Sequence, residues 1–419
     1  MVPCSHAPWR LSAHLGRHHY RVLQRMFPLP WELNQQIIDY LHDDKASLLA
    51  CCRVAKSAIP FSRRHLFHEV SIREFEDESP KWKQFPQVMR ANTRIGDYVR
   101  VLHLRGVPYP WFRKSMSLIS YLFPSLREID FHNVDWINDF SNTQLHVVIR
   151  DRGLLKGVTR FVFNAACWKW FTDVQIFLSF FPQCDYLVMN HVIIGVEEVS
   201  PLTYRVAPFR TLSLGIGPKL PLLEWIMTSA SPSSPRITSL ILHNIKPDEL
   251  QTIGGFLSFL GASLYHFDFS FRPGPGIQEV VGEKLPYNTR LRSLINTRSD
   301  KLDLRSNTEL RSLAFDDWFL GYWVDSDWSL SILKKLRSRV LTTLVFRFRV
   351  RDIRIPRWDE VDSFLNNLPI SSVKAVRFEN RMPYSSAKEE EYLRDRLPGL
   401  AVKGVLQYRA MTELFGVNS

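Results

Sequence analysis

The phrase VRVLHLRGV at residues 99–107 has apolar side chains at its first, fourth, sixth and ninth positions. The further copies of this phrase are LREIDFHNV (126–134), VTRFVFNAA (158–166), CDYLVMNHV (184–192), FRTLSLGIG (209–217), ITSLILHNI (237–245), LYHFDFSF (264–271), LRSLAFDDW (310–318), LTTLVFRFR (341–349), VKAVRFENR (373–381) and LPGLAVKGV (397–405). Most copies follow one another at about 25 to 32 residues, which is the spacing of a stacked repeat architecture. One longer interval contains a degraded copy, LRSLIN, at 291–296.

The alternation at the fourth and sixth positions predicts a β-strand, in which successive side chains point to opposite faces. The segments between the phrases have helical patterns, for example TDVQIFLSFF at 172–181 and PDELQTIGGFLSFL at 247–260. Because one strand and one helix cannot bury their apolar surface alone, neighbouring units must stack. The alternative is an ordinary α/β domain with a doubly wound parallel sheet.

The recurring L-x-x-L-x-L phrase resembles the leucine-rich repeat. That resemblance implies an α/β solenoid over residues 99–409, with parallel strands on the concave face and helices on the convex face. The Asn that stiffens short repeats is mostly missing here, so we expect long and irregular units.

A different pattern precedes the repeats, in LPWELNQQIIDYLHDD at residues 29–44. Apolar residues four positions apart predict one stripe of a helix, with Pro30 in its first turn. Asp43 and Asp44 then indicate a turn and the N-cap of a second helix. Three short helices in about 40 residues have little core of their own, so we expect their outward apolar residues to dock on a neighbour.

Residues 29–67 resemble the F-box of fungal (basidiomycete-type) F-box proteins that carry leucine-rich repeats, through Leu-Pro, Glu-Leu and Ile-Ile in this order. The resemblance implies docking on the Skp-type adaptor of a cullin-RING ubiquitin ligase. The residues that it places on the adaptor surface are Leu29, Pro30, Leu33, Ile37, Ile38, Leu41, Leu48, Leu49 and Val54. Ala55 and Ala58 depart from the family pattern, which has Cys and Trp there. A helical cap that only shields the first repeat is the alternative.

The composition describes a packed chain rather than a disordered one, with 45% hydrophobic, 13% aromatic and 23% charged residues. No apolar window is uninterrupted for the roughly 20 residues that a spanning helix needs, so we predict no membrane segment. Five cysteines without C-x-x-C spacing indicate neither a disulfide framework nor a thiolate zinc site. These features predict a protein of the reducing cytoplasm or nucleus.

Residues 1–28 contain four arginines and no acidic residue. We interpret this segment as a flexible basic tail, with a mitochondrial presequence as the alternative. His14 and His18 are spaced i, i+4, but no carboxylate or Cys partner lies nearby in the sequence. The sequence therefore predicts no metal site in this segment.

None of the common catalytic or phosphate-binding motifs is present in the sequence, including G-x-S-x-G, H-E-x-x-H and the Gly-rich loops. We therefore predict a binding protein that is not an enzyme and that uses no cofactor and no metal. Its work would be to hold two proteins close together.

If the strands line a concave face, the polar residues between the buried positions face a partner. The candidate substrate-binding residues are His103, Arg105, Asp130, His132, Asp268, Asp316, Arg347, Arg349 and Arg377. In FRFRVR at 346–351, three arginines alternate with apolar residues. Such a row either binds an acidic or phosphorylated segment or forms an ordinary solvated strand face, and we favour the second interpretation.

These patterns predict a basic tail at 1–28, an F-box at 29–70, a linker or first cap at 71–98, the repeats at 99–409 and a tail at 410–419. The predicted function is that of a substrate-receptor subunit of an SCF-type ligase, which binds the Skp adaptor and an unknown protein substrate. One alternative is a repeat scaffold without ligase association. Another is a nucleic-acid-binding protein, suggested by the formal net charge of +12, although basic residues are spread along the chain.

Overall fold

The computed structural model describes residues 30–54, 56–73, 87, 89, 92–137, 155–179, 181–195, 208–229, 236–271, 301–316, 327–348, 358–367, 372–380 and 387–410. Several predictions from the sequence lie outside these residues. They concern the tail at 1–28, Leu29, the degraded repeat at 291–296, Arg349 and residues 411–419.

Short strands dominate the described chain, and most of them belong to one parallel sheet. The strands are β1 (Glu69–Arg73), β2 (Val101–Arg105), β3 (Glu128–His132), β4 (Asp135–Trp136), β5 (Arg160–Asn164), β6 (Cys167–Trp168), β7 (Tyr186–Asn190), β8 (Ile193–Ile194), β9 (Thr211–Leu214), β10 (Ser239–Ile245), β11 (His266–Phe271), β12 (Ser312–Phe315), β13 (Thr343–Phe348), β14 (Ala375–Asn380) and β15 (Leu406–Ala410). Twelve of these described strands pair in the order β1-β2-β3-β5-β7-β9-β10-β11-β12-β13-β14-β15, and β4, β6 and β8 form a second, three-stranded sheet.

Helices connect many of the strands. They are α1 (Trp31–Tyr40), α2 (Lys45–Val54), α3 (Ile59–Leu66), α4 (Thr93–Gly96), α5 (Tyr109–Leu122), α6 (Phe171–Ser179), α7 (Leu220–Ser229), α8 (Leu250–Leu260), α9 (Asp327–Lys335), α10 (Trp358–Asn366), α11 (Ala387–Arg396) and α12 (Pro398–Val402), with single 3-10 turns at Lys56–Ala58, Pro247–Glu249 and Gly261–Ser263. Within the described part, no helix has the length and apolarity needed to cross a bilayer.

The strands of the large sheet are arranged in the order in which they occur in the chain, and each pairs in parallel with the preceding and following strand of that sheet. A doubly wound sheet reverses its strand order at a switch point, and the described sheet has no such reversal. The doubly wound alternative is therefore wrong. The sequential order is compatible with a solenoid of stacked strand-and-connection units.

The fourth and sixth positions of the repeated phrases form the core, as their alternation predicts. Leu102 and Leu104 of β2 are fully buried, as are Phe269 and Phe346 further along the sheet. The sixth-position phenylalanines stack across neighbouring strands, and the Phe315 and Phe346 rings lie 5.2 Å apart and nearly parallel. Their other neighbours are helix side chains, since Phe131 meets Phe112 of α5 and Phe177 of α6 edge-on. One face of the sheet is thus covered by helices.

The last phrase, LPGLAVKGV at 397–405, is not a strand, and its prediction was wrong. Pro398 begins α12, and Val402, the predicted buried sixth position, is 90% exposed. Leu397 and Leu400 are spaced i, i+3, which also places them on one side of a helix, and both are buried. The strand follows after Gly404, which has a positive φ of 67°, and β15 pairs Tyr408 with Phe378.

The sheet also begins earlier than the predicted repeats. Strand β1 pairs with β2 in register, so that Glu69 lies beside Val101 and Arg73 beside Arg105. The first strand therefore lies at the boundary of the segments predicted as F-box and linker, rather than at residue 99.

A left-handed residue recurs at the eighth position of several phrases, at or just after the end of the strand. Asn133, Ala165, His191 and Asn244 have φ values between 52° and 55°. This conformation is costly for residues with a side chain, and their recurrence marks a common turn. Backbone hydrogen bonds join these turns to the next unit, since the Asn133 amide donates to the Asn164 carbonyl and the Ala165 amide to the Asn190 carbonyl, both at 2.9 Å.

Helices α1, α2 and α3 pack around a small apolar cluster of their own. Ile38, Leu48 and Ala58 form its buried part, and partly buried neighbours complete it. Asp44 caps α2, as its position predicts, because its Oδ1 accepts hydrogen bonds from the amides of Ala46 and Ser47 at 3.0 and 3.1 Å. This three-helix arrangement is called the helical unit below.

Candidate functional site

Two surfaces carry most of the predicted site residues, and the first lies on the helical unit. Four of its large apolar side chains are strongly exposed, namely Leu33 (43%), Ile37 (49%), Leu49 (51%) and Val54 (67%). Pro30 at the start of α1 is exposed as well. Leu33 and Ile37 are four residues apart in α1 and share one side of the helix. These four apolar side chains are called the apolar surface of the helical unit.

Three residues predicted for the adaptor surface lie elsewhere. Ile38 and Leu48 are 3% and 0% exposed and form the core of the helical unit, so they lie beneath the apolar surface rather than on it. Leu41 is half-buried and packs against them. Adjacent residues of a helix point about 100° apart, and here Ile38 faces inward while Ile37 is about half exposed. Since the helical unit needs a core, one of the two isoleucines must supply it.

Polar contacts hold the helices of this unit in place. His65 of α3 lies 2.7 Å from Asp39 of α1, between its Nε2 and Oδ1 atoms. The Ser47 hydroxyl donates to the Asp44 carboxylate at 2.6 Å, and this hydrogen bond, with that of the Ser47 amide, lowers the pKa of Asp44. The apolar surface is therefore presented on helices whose start and mutual position are fixed by side chains.

The second surface is the face of the large sheet that points away from the core side chains of its strands. It carries the third, fifth and seventh positions of the phrases and is called the open face. Along the fifth position, adjacent strands present His103, Asp130, Val162, Val188, Ser213, Ile241 and Asp268 in this order. The open face thus has polar residues on both sides of a half-buried strip formed by Val162, Val188, Ser213 and Ile241, of which only Ser213 is polar.

Three of the predicted substrate-binding residues converge at the amino-terminal side of the open face. The Asp130 Oδ2 atom lies 3.0 Å from His103 Nδ1 and 2.7 Å from His132 Nε2. His103 and Asp130 are register neighbours on β2 and β3, and His132 follows Asp130 by two residues on the same strand. The three residues are called the His–Asp–His cluster.

The surroundings of the His–Asp–His cluster include two residues that the sequence did not single out. Asn164 of β5 donates from Nδ2 to Asp130 Oδ1 at 3.4 Å. Glu69 of β1 places its Oε2 atom 3.6 Å from His103 Nε2. Both lie at third or seventh positions of neighbouring strands, so the strand register could have pointed to them.

The electrostatics of the cluster follow from these contacts. The hydrogen bond to Asp130 raises the pKa of His103, and this effect outweighs burial, which lowers it. Burial raises the pKa of Asp130, but the hydrogen bonds from His103 and His132 outweigh it and hold the pKa at about 2. The stability that Asp130 contributes is therefore present above its ordinary pKa of 3.8 and is lost as the pH falls towards 2.

A second polar group surrounds Arg347 on the open face. Its guanidinium donates to Asp268 of β11 and, through Nε at 2.8 Å, to Glu379 of β14. It reaches Asp268 across β12, which presents the small Ala314 between Asp268 and Val345. The pKa of Arg347 is raised because the two carboxylates outweigh its burial. Arg347 is thus paired within the chain and largely shielded from solvent, while the other two arginines of FRFRVR lie outside the described residues.

The remaining predicted residues are also distributed over the open face without forming one site. Asp316 is buried and lies 3.3 Å from His243 Nδ1. Arg377 donates from Nε to Gln407 Oε1 at 2.8 Å. Arg105 is exposed and is the register neighbour of His132. The predicted residues therefore form one compact cluster and several separate polar contacts.

Comparisons with known proteins add little to this geometry. No family profile and no curated protein matches the sequence. Among solved structures, the chain is similar to one from the yeast Rad7 and Elc1 complex at 13% identity and a TM-score of 0.32, with 85% of this chain and 91% of that chain covered. A TM-score of that size does not establish a shared fold, so function must be argued from the two surfaces.

Proposed function

We propose that the chain is a non-catalytic substrate-receptor subunit of an SCF-type cullin-RING ubiquitin ligase. In this proposal the helical unit is an F-box that binds a Skp-type adaptor, and the strands and helices that follow are leucine-rich repeats that bind a protein substrate. The chain would then carry out no chemical step and would act in the cytoplasm or nucleus. Its contribution to ubiquitin transfer would be to raise the effective concentration of the substrate near the ligase.

The single observation that carries the proposal is the exposure of Leu33, Ile37, Leu49 and Val54 on a unit that has a separate core. Scattered apolar residues on a surface need no explanation, but four large ones on so small a unit indicate a docking surface. The resemblance of residues 29–67 to the F-box names the adaptor as its partner.

The open face of the sheet supports the second half of the proposal. Its half-buried and mainly apolar strip of Val162, Val188, Ser213 and Ile241 lies between the His–Asp–His cluster and the Asp268 and Arg347 pair. An apolar centre with polar groups around it is the usual composition of a protein interface. The strip is therefore the part of the open face that we assign to the substrate.

The test is a binding titration of the purified chain with a purified Skp-type adaptor by calorimetry. Leu33 and Ile37 are about half exposed, so burying the rest of each side chain contributes about 1 kcal/mol. The double substitution Leu33→Ala and Ile37→Ala is expected to weaken binding by about 2 kcal/mol, or roughly 30-fold. Val402→Ala is the matched control, because Val402 is also apolar and 90% exposed but lies near the end of the chain.

Two results would count against the proposal. If the unmodified chain does not bind the adaptor, the ligase role is excluded and a repeat scaffold remains. If the double variant binds as tightly as Val402→Ala, the adaptor contacts a surface other than α1.

A further inference from the structure

The His–Asp–His cluster holds the ligand set of a transition-metal site. One ligand atom from each of His103, Asp130 and His132 lies within 4.8 Å of the other two. We propose that these three residues bind one divalent ion of the zinc type, with a remaining coordination position open to water. The proposal does not depend on the proposed ligase function.

The positions of the three ligands are set by the sheet rather than by loops. His103 and Asp130 are register neighbours on parallel strands, and Asp130 and His132 are two residues apart on β3, so all three point to the open face. Ligands on regular strands are held more precisely than ligands on loops. The site is therefore largely formed before an ion arrives.

Two of the three ligand separations are close to those around a small tetrahedral ion. Zinc bonds of about 2.0–2.1 Å separate neighbouring ligand atoms by about 3.3 Å. The Asp130 oxygen lies 3.0 and 2.7 Å from the two imidazole nitrogens, so these separations must widen by a few tenths of an ångström.

The neighbours of the cluster orient its ligands. Binding of an ion would release the proton that His103 Nδ1 shares with Asp130 Oδ2, and Glu69 Oε2, 3.6 Å from His103 Nε2, is placed to attract a proton on Nε2 and so leave the Nδ1 lone pair for the ion. Asn164 Nδ2 donates to Asp130 Oδ1 at 3.4 Å and so leaves Oδ2 for the ion. A carboxylate behind a ligating histidine is the usual second layer of a zinc site.

The donor set and the exposure define the class of ion. Two imidazoles and one carboxylate suit Zn²⁺ and its late transition-metal neighbours better than Mg²⁺ or Ca²⁺, which prefer oxygen ligands. The side chains of His103, Asp130 and His132 are 22%, 11% and 30% exposed, so the site is shielded on one side and reachable by water on the other. Three protein ligands with an open position are the arrangement of an accessible zinc site rather than a closed structural one.

The experiment measures zinc binding to the full chain after treatment with EDTA, by competition with a chromophoric chelator. The comparison is between the unmodified chain and His132→Gln, Asp130→Asn and Glu69→Gln. His266→Gln is the matched control, because His266 lies on the third position of β11 on the same face, beside Arg311. Every variant keeps the histidines of residues 1–28, so zinc bound there is a constant background.

The unmodified chain and His266→Gln are expected to bind one zinc equivalent that His132→Gln and Asp130→Asn lose. Glu69→Gln is expected to lower the affinity for this zinc ion by about 10-fold, as the removal of a carboxylate behind a ligating histidine does. His132→Cys should restore it, because a thiolate also ligates zinc. Co²⁺ in place of Zn²⁺ should give the visible absorption of a tetrahedral complex, and this absorption should disappear in His132→Gln.

Folding of each variant is checked by circular dichroism in the presence of EDTA. If Asp130→Asn does not fold, His132→Gln and Glu69→Gln still decide the question, because both side chains are less buried than Asp130. Equal zinc stoichiometry and affinity in the unmodified chain and in His132→Gln would overturn the proposal. The cluster would then be only a hydrogen-bonded group of two imidazoles and one carboxylate.

Discussion

Ile37 and Ile38 are adjacent in α1 and give the sharpest test of the described helical unit. Ile38 is 3% exposed and Ile37 is 49% exposed. Ile→Ala removes three carbon atoms from either side chain. At Ile38 the loss is about 0.8 kcal/mol for each buried carbon plus a cavity term, or about 3 kcal/mol in all. At Ile37 the same change is expected to alter stability by no more than about 0.5 kcal/mol.

The two substitutions control for each other, because both make the same change in helix propensity within one helix. The described core of the helical unit contains only Ile38, Leu48 and Ala58, so a loss of about 3 kcal/mol is a large part of its stability. The large sheet has a separate core and should not respond.

The assay is amide hydrogen exchange followed by mass spectrometry on the full chain. Ile38→Ala should raise exchange in peptides from residues 31–66 by about 100-fold, since every 1.4 kcal/mol is a factor of ten, while peptides from β3 to β7 stay protected. Ile37→Ala should exchange as the unmodified chain does. Equal effects of the two substitutions would refute the assignment of Ile38 to the core and Ile37 to the surface.

Three further predictions concern the repeats. The side chains of Lys219 and Glu249 are 2% and 4% exposed, and Lys219 Nζ lies 3.4 Å from Glu249 Oε2. Because Lys219→Met leaves the buried Glu249 carboxylate without this partner, it is expected to lower the free energy of unfolding by about 3–5 kcal/mol in a denaturant titration. Full stability of the variant would contradict the pairing. Burial raises the pKa of the Cys184 thiol to about 12. At pH 8 the thiol is therefore a thiolate in only about one molecule in ten thousand, and iodoacetamide should label Cys184 only after the protein is unfolded. Leu400→Asp should lower the melting temperature strongly and Val402→Asp should not, because Leu400 is 2% and Val402 is 90% exposed. The reverse order of melting temperatures would support a strand at residues 397–405.

Several features of the fold could be predicted from the sequence because they depend on local periodicity. The spacing of VRVLHLRGV and its copies identified the sixth positions from Leu104 to Phe378 as core, and these side chains are buried. Side chains in a strand alternate between faces, so the pattern itself separates the inside from the outside. Asp44 was likewise found as a helix cap, since its interaction reaches only to residues 46 and 47.

The sequence pattern could not separate a strand from a helix where the same spacing of apolar residues fits both. Leu397, Leu400 and Val402 fit the strand phrase, but Leu397 and Leu400 also fit one side of a helix, and Pro398 begins that helix. The following residues 406–410 form β15, which pairs with β14. Residues 398–402 can therefore be helical without leaving β14 unpaired on that side. In the same way, the sequence could not decide which of Ile37 and Ile38 faces inward, because that depends on the positions of α2 and α3.

By itself, the sequence determined that this chain is a series of strand-and-connection units preceded by short amphipathic helices. The tertiary structure alone decided which polar side chains meet. His103 and Asp130 occupy the same position of consecutive phrases, yet their contact requires parallel pairing in register, and Arg347 reaches Asp268 only across the intervening β12. The physical reason is range: burial follows a period of two along one strand, whereas a shared carboxylate or a paired guanidinium depends on the separation between different strands.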